Sequence, residues 1–291
     1  MDTTQVVGTA LGASQVVGTR LSPPQVVGTP VGPPQVVGIL GGMGPAAGAD
    51  FARLFVQACA TRLHELHVPV TDQAYPEHWL AQVPVPDRSA ALQSDQAGGH
   101  QPLEPMLQAM GRLAALGARA VAIACNTAHA WHPTMQARFP QLEVLHVAQE
   151  TAQFLAASGV TQVGLLATTG TYQSGVYEQA LQAAGVRCVL PEPEGRAVLM
   201  QGIYQGVKAG DMALAGACFG DVAHGMLRQH KLPALILGCT EIPLALTSLS
   251  EYPHERFGEL GHKLRLLGAT GSARDLEIGV RHLLMIAEPT G

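Results

Sequence analysis

The chain has 291 residues, 47% of them hydrophobic and 13% charged, with a formal net charge of −5. That length holds one large α/β domain or two small ones. The acidic balance, without any basic run, argues against a nucleic-acid partner, because phosphate binding needs a basic footprint.

The N-terminus reads Met1-Asp2-Thr3-Thr4 and lacks a basic segment followed by an apolar one, so a secretory leader is not expected and a cytoplasmic protein is. No uninterrupted run of about 18 apolar residues is present to span a membrane, so no membrane partner is expected. Gln-Val-Val-Gly then begins at Gln5, Gln15, Gln25 and Gln35. A ten-residue unit with two valines and abundant Gly, Pro and Thr is too small to stack into a solenoid. Residues 1–34 are therefore expected to be a disordered extension that duplicates the start of the first strand.

From Gln35 onward strands and helices alternate. Apolar runs at 36–40, 120–124, 163–167 and 234–237 predict buried parallel strands. Amphipathic stretches at 46–66, 103–116, 148–157, 173–184 and 211–229 predict helices. This pattern predicts an α/β fold of mainly parallel sheets flanked by helices.

An internal likeness divides the chain. Val37-Gly38-Ile39-Leu40-Gly41-Gly42-Met43-Gly44 is similar to Val163-Gly164-Leu165-Leu166-Ala167-Thr168-Thr169-Gly170. Ala120-Val121-Ala122-Ile123-Ala124-Cys125 is similar to Ala234-Leu235-Ile236-Leu237-Gly238-Cys239. Two pseudo-symmetric lobes are expected, at 35–145 and 146–250, with a divergent segment over 251–291. Each lobe ends one strand in a cysteine. In open parallel sheets ligands bind beyond the carboxyl ends of the strands, which is where both thiols fall.

Five cysteines with no CxxC pair predict neither a disulfide framework nor a zinc site. Cys59, Cys188 and Cys218 read as core packing, because free cysteine is among the most buried residue types. Cys125 and Cys239 differ in being followed by Asn-Thr and Thr-Glu at a strand exit, where loops carry function. Two thiols facing one small ligand suit racemisation: one thiolate removes a Cα proton and the opposite thiol supplies one to the other face. A helix N-terminus beyond each cysteine would favour the thiolate and bind carboxylates.

At these residues the chain resembles the aspartate/glutamate racemase superfamily, in its aspartate racemase branch. The likeness rests on Gly38-Ile39-Leu40-Gly41-Gly42-Met43-Gly44-Pro45, Val85-Pro86-Asp87-Arg88, Ala124-Cys125-Asn126-Thr127-Ala128-His129, Leu166-Ala167-Thr168-Thr169-Gly170-Thr171 and Leu237-Gly238-Cys239-Thr240-Glu241-Ile242. The resemblance implies two flavodoxin-like lobes with the site in the cleft between them. It implies Cys125 and Cys239 as the acid/base pair, working without pyridoxal phosphate or metal. It makes Arg88 and Lys208 binders of a substrate's two carboxylates, with hydrogen bonds from Asn126, Thr127, Ala128, Thr168 and Thr240. Glu241, where glutamate racemases typically carry His, favours aspartate, and it would either restrain a thiol or ammonium or cap a helix. His129 and His132 would be supporting or solvent-facing. The implied partner is a small acidic amino acid, and the implied assembly is a homodimer.

The likeness weakens between His67 and Val83 and is expected to end near Leu246, with a helix over about 273–287 and a sheet edge at risk of being left uncovered. Two other functions compete: an isomerase or decarboxylase of small dicarboxylic acids on the same lobes, and a catalytically inactive amino-acid-binding protein.

Overall fold

The computed structural model describes residues 36–93, 101–246 and the backbone of 286–287. The expected disordered extension over 1–34 lies outside the described residues. Two four-stranded sheets form. In the first, β1 (Val37–Gly41) lies between β2 (His78–Gln82) and β3 (Ala120–Ile123), with β4 (Glu143–Val144) beyond β3, and every pair is parallel. In the second, β5 (Gln162–Ala167) lies between β6 (Arg187–Val189) and β7 (Leu235–Gly238), again parallel. The short β8 (Ile286–Ala287) runs antiparallel on β7. Strands β1, β3 and β7 are buried throughout, as continuous apolar runs covered on both faces must be. The weakly matched stretch after His67 supplies the edge strand β2.

Helices return the chain between parallel strands: α1 (Pro45–Glu65), α2 (Arg88–Gln93) and α3 (Leu103–Ala115) before β3, and α4 (His132–Arg138) before β4. α5 (Val147–Ala157) then crosses to the second lobe, where α6 (Thr169–Ser174), α7 (Val176–Ala183), α8 (Pro193–Gln201), α9 (Met212–His230) and α10 (Ile242–Leu246) follow. The helix expected over 173–184 is instead two short helices. Gly175, at φ 64°, breaks them in a left-handed conformation open to glycine at little cost. The helix expected over 273–287 gives way at its last two residues to β8, whose backbone pairs with Leu235 and Ile236 along the edge of β7. Its other residues lie outside the described ones.

One apolar cluster joins the lobes. It takes Val37, Ile39, Ala120 and Ala122 from the first sheet and Val163, Leu165 and Ile236 from the second, with Phe51 and Phe55 of α1, Leu155 of α5 and Tyr177 of α7. Separate clusters cover the outer faces of the two sheets. Above the joint, Thr127 of the first lobe meets Thr168 and Thr171 of the second. Their hydroxyl oxygens form a triangle of 2.8, 3.0 and 3.0 Å, and all three residues are buried. The backbones close together here because residue 170 has no side chain. A Cβ at Gly170 would stand 2.7 Å from Ser89 Oγ and 2.8 Å from Thr127 Cγ2, both across the joint.

The fold therefore predicts that Gly170→Ala wedges the lobes apart and costs about 1–3 kcal/mol. Thermal unfolding of the two proteins checks this. A lowered midpoint is expected, and an unchanged one would mean the lobes are not packed here.

Candidate active site

Cys125 follows β3 and Cys239 follows β7 directly, so equivalent strands of the two lobes each present one thiol. Both are buried, and both line one cavity of about 20 Å³. Arg88, Asn126, Thr127, Thr168, Lys208, Thr240 and Glu241 line it as well. Of the residues marked in the sequence only Ala128 is set apart. It lies in a turn of 3-10 helix (Thr127–Trp131) with its methyl in the first lobe's outer core. The structure adds Asp87 and Tyr204 to the cavity wall.

Arg88 is held by backbone. Its Nη2 donates to Met43 O at 2.6 Å and its Nη1 to Val85 O and Pro86 O at 3.1 and 3.0 Å. The glycine-rich loop after β1 makes the first bond available: a Cβ on Gly42, at φ 92°, would sit 2.1 Å from Val83 O, so only glycine lets the loop fold this way. Burial works against the Arg88 charge. The Cys125 charge and hydrogen bond, then Asp87 and Glu241, more than offset it and raise its pKa above the ordinary value. Arg88 is thus a fixed cation beside Cys125, with a buried Nε still unpaired.

Cys239 has the opposite surroundings. Its thiol donates to Glu241 Oε2 at 3.0 Å, and Thr240 Oγ1 donates to the same oxygen at 3.2 Å. Burial, then the charge and hydrogen bond of Glu241, push the Cys239 thiol well above its usual range. Glu241 thus contacts both the thiol of Cys239 and the hydroxyl of Thr240. One cysteine therefore has a cation for company and the other a carboxylate.

The two lobes are also linked at the cavity wall. Tyr204, in a turn of π-helix (Gly202–Gly206), donates its hydroxyl to Asp87 Oδ2. Lys208 Nζ lies over the Tyr204 ring, 4.2 Å from its centroid. Asp87 also accepts the Ala90 backbone N–H at 2.9 Å, at the start of α2. Burial would raise the Asp87 pKa, but Tyr204, Ala90, Lys208 and Arg88 together hold it below the ordinary carboxylate value. A π-turn is a common marker of a functional segment, but nothing in residues 202–206 announces one. Asp87 was visible only as a neighbour of Arg88.

His129 is buried with Nδ1 2.9 Å from Cys125 O, so it braces the backbone of that cysteine. His132 and His146 stack around it with ring centroids 6.2 and 5.3 Å away. Burial first, then the neighbouring rings, push His129 down to about 3 and His146 to about 4. Both are neutral imidazoles at physiological pH and serve as supports. Burial pushes Cys59 and Cys188 up to about 12 and also raises Cys218, which suits thiols that pack and do not react. Among the described residues no group of three or more His, Cys, Asp or Glu is placed to hold a metal, and no helix is long and apolar enough to cross a membrane.

Because only the thiolate is alkylated, Cys239 is expected to resist iodoacetamide until well above neutral pH. Glu241→Gln removes the charge that favours the thiol, so the pH of half-alkylation, followed by peptide mass spectrometry, should move down. An unmoved midpoint would show that Glu241 does not control this proton.

Residues 40–254 match the family model described as Asp/Glu/hydantoin racemase, which carries the likeness past Leu246, where the motifs alone end. The chain is 35% identical over 104 residues to a Pectobacterium carotovorum protein described as uncharacterized and in the pnlA 3′ region, covering 36% of this chain and 68% of that one. It is 35% identical over 185 residues to a glutamate racemase of Stutzerimonas stutzeri, covering 60% of this chain and 63% of that enzyme, less than two thirds of its length. Among solved structures, Picrophilus torridus aspartate racemase superposes with a TM-score of 0.59 at 28% identity, over 72% of this chain and 83% of that one. With the family match spanning most of the chain and both lobes in place, this chain belongs to the Asp/Glu/hydantoin racemase family.

Proposed function

We propose that the chain interconverts the enantiomers of a short acidic amino acid, aspartate in the first place and glutamate in the second, using Cys125 and Cys239 as acid and base. The observation that carries this reading is the convergence of two thiols, from equivalent strands of two lobes, on one buried cavity. Their unequal surroundings set the order of events. In this reading Cys125, with Arg88 beside it, acts as the base and takes the Cα proton from its face. The electron pair left on Cα delocalises into the α-carboxylate. Cys239, held as a thiol by Glu241, then delivers its proton to the opposite face. After one turnover the thiols have exchanged protonation states, and the reverse reaction starts from Cys239.

Two thiols suffice for this exchange, so neither pyridoxal phosphate nor a metal is assigned a part. Lys208 and the unpaired Nε of Arg88 supply positive charge for a substrate with two carboxylates. A cavity of about 20 Å³ holds little more than one water, so the Tyr204–Asp87 tie must open for entry. Reclosure then excludes water from the carbanion. The aspartate preference is supported by Glu241 following Cys239-Thr240 and by the likeness to the Picrophilus torridus aspartate racemase; the likeness to a glutamate racemase keeps glutamate as the second substrate.

The test is conversion of L-aspartate, and separately L-glutamate, by purified protein with EDTA and without pyridoxal phosphate, followed on a chiral column. Wild type should form the D-isomer, and Cys125→Ser and Cys239→Ser should each lower the rate by about 10²-fold or more. Full activity in either variant, or none in folded wild type, would overturn the proposal; the latter outcome favours a binding protein.

A further inference from the structure

Asn126 carries a donor that no group among the described residues satisfies. The residue is 2% exposed and lines the cavity between the two thiols. Its Oδ1 accepts a hydrogen bond from the Tyr177 hydroxyl at 2.5 Å, while its buried Nδ2 has no partner among the described residues. The separation agrees with this orientation of the amide. Two oxygens joined by O–H···O approach to 2.5–3.0 Å, whereas N–H···O bonds run from 2.7 Å upward. A reversed amide would crowd Nδ2 against the phenol oxygen. Tyr177 is fully buried in the core that joins the lobes. Its ring is enclosed in that core, which holds the phenol oxygen in place. A buried N–H without an acceptor is costly in an empty site and is relieved by a ligand oxygen.

We infer that Tyr177 is a positioning residue: its hydroxyl locks the Asn126 amide with Nδ2 toward the cleft, so that this end accepts a carboxylate oxygen and rejects an ammonium group. The inference rests on the proposed reading of the cleft as a site for an acidic amino acid. It makes Asn126 a fixed donor beside Cys125 and assigns the polarity of that donor to a residue 51 positions away, on the other lobe. Released from the phenol, the amide can turn and present Oδ1, which repels a carboxylate and attracts an ammonium group. Substrate would then be held the wrong way round, or less tightly, with both thiols intact.

The probe is succinate, which keeps two carboxylates and lacks the amine, titrated calorimetrically into the full chain. Michaelis constants for both aspartate enantiomers are read in parallel. Tyr177→Phe removes one oxygen from a fully buried side chain and is expected to weaken succinate binding about ten-fold and to raise KM for both enantiomers by a similar factor. In an Asn126→Ala background the same change should have no further effect, because Tyr177 acts through the amide. Asn126→Asp keeps an acceptor for the phenol but turns an acceptor toward the cleft, so it should lose succinate even with Tyr177 in place. This second variant decides the matter if Tyr177→Phe fails to fold. Unchanged affinity in Tyr177→Phe, additive losses in the double variant, or normal succinate binding by Asn126→Asp would each overturn the assignment. If wild type binds succinate but racemises nothing, the racemase reading fails while the binding cycle still judges Tyr177. If wild type does not bind succinate, the assignment falls.

Discussion

The chemistry of the cleft depends on the triangle of threonine hydroxyls that ties Thr127 to Thr168 and Thr171. Three buried hydroxyls, each with one proton, satisfy one another only when all three oxygens stay within about 3 Å. Sliding one lobe against the other would break two of the three bonds at once and strand buried polar groups. Thr127 lies two residues after Cys125, and Thr168 follows the strand beside the one that carries Cys239. The triangle thus fixes the separation of the thiols from inside the site. Thr127 and Thr168, read from sequence as ligands of the substrate, have their hydroxyls engaged in this structural role.

A rigid joint alone would present two equivalent thiols, and the surroundings make them unequal. The first lobe brings a cation to Cys125, held by three backbone carbonyls so that it cannot swing away. The second lobe brings Glu241 to within 3.0 Å of Cys239. Both charges are buried, and each also acts on the other, since Glu241 helps keep Arg88 charged. Arg88 and Glu241 thus set opposite charges beside the two thiols.

Much of this was legible in the sequence because it is local. Buried parallel strands leave continuous apolar runs, and those around Ile39, Ala122, Leu165 and Ile236 appear within a residue or two of where they were expected. The strand-end thiols followed from the same runs. What escaped depends on partners far apart in the chain. The threonine triangle joins residues 41 and 44 positions apart, the Tyr204–Asp87 tie spans 117, and Tyr177 reaches Asn126 over 51. No periodicity encodes such pairs. Gly175 was a missed local signal: a glycine inside a helical pattern can be tolerated or can break it, and here it takes a positive φ. The two-residue strand β8 escaped because its register comes from the exposed edge of β7 and not from its own sequence.

The central claim is that protons enter and leave Cα on opposite faces through different thiols. It is tested most directly by racemising L-aspartate in D2O and measuring, in the first few percent of conversion, the deuterium at Cα of the D-isomer formed and of the L-isomer left. Two thiols predict a product deuterated at Cα, because its proton comes from a solvent-exchanged thiol, beside recovered substrate still carrying protium. Product that retains the substrate's own protium would contradict the account, since a single group would then have carried the proton from one face to the other.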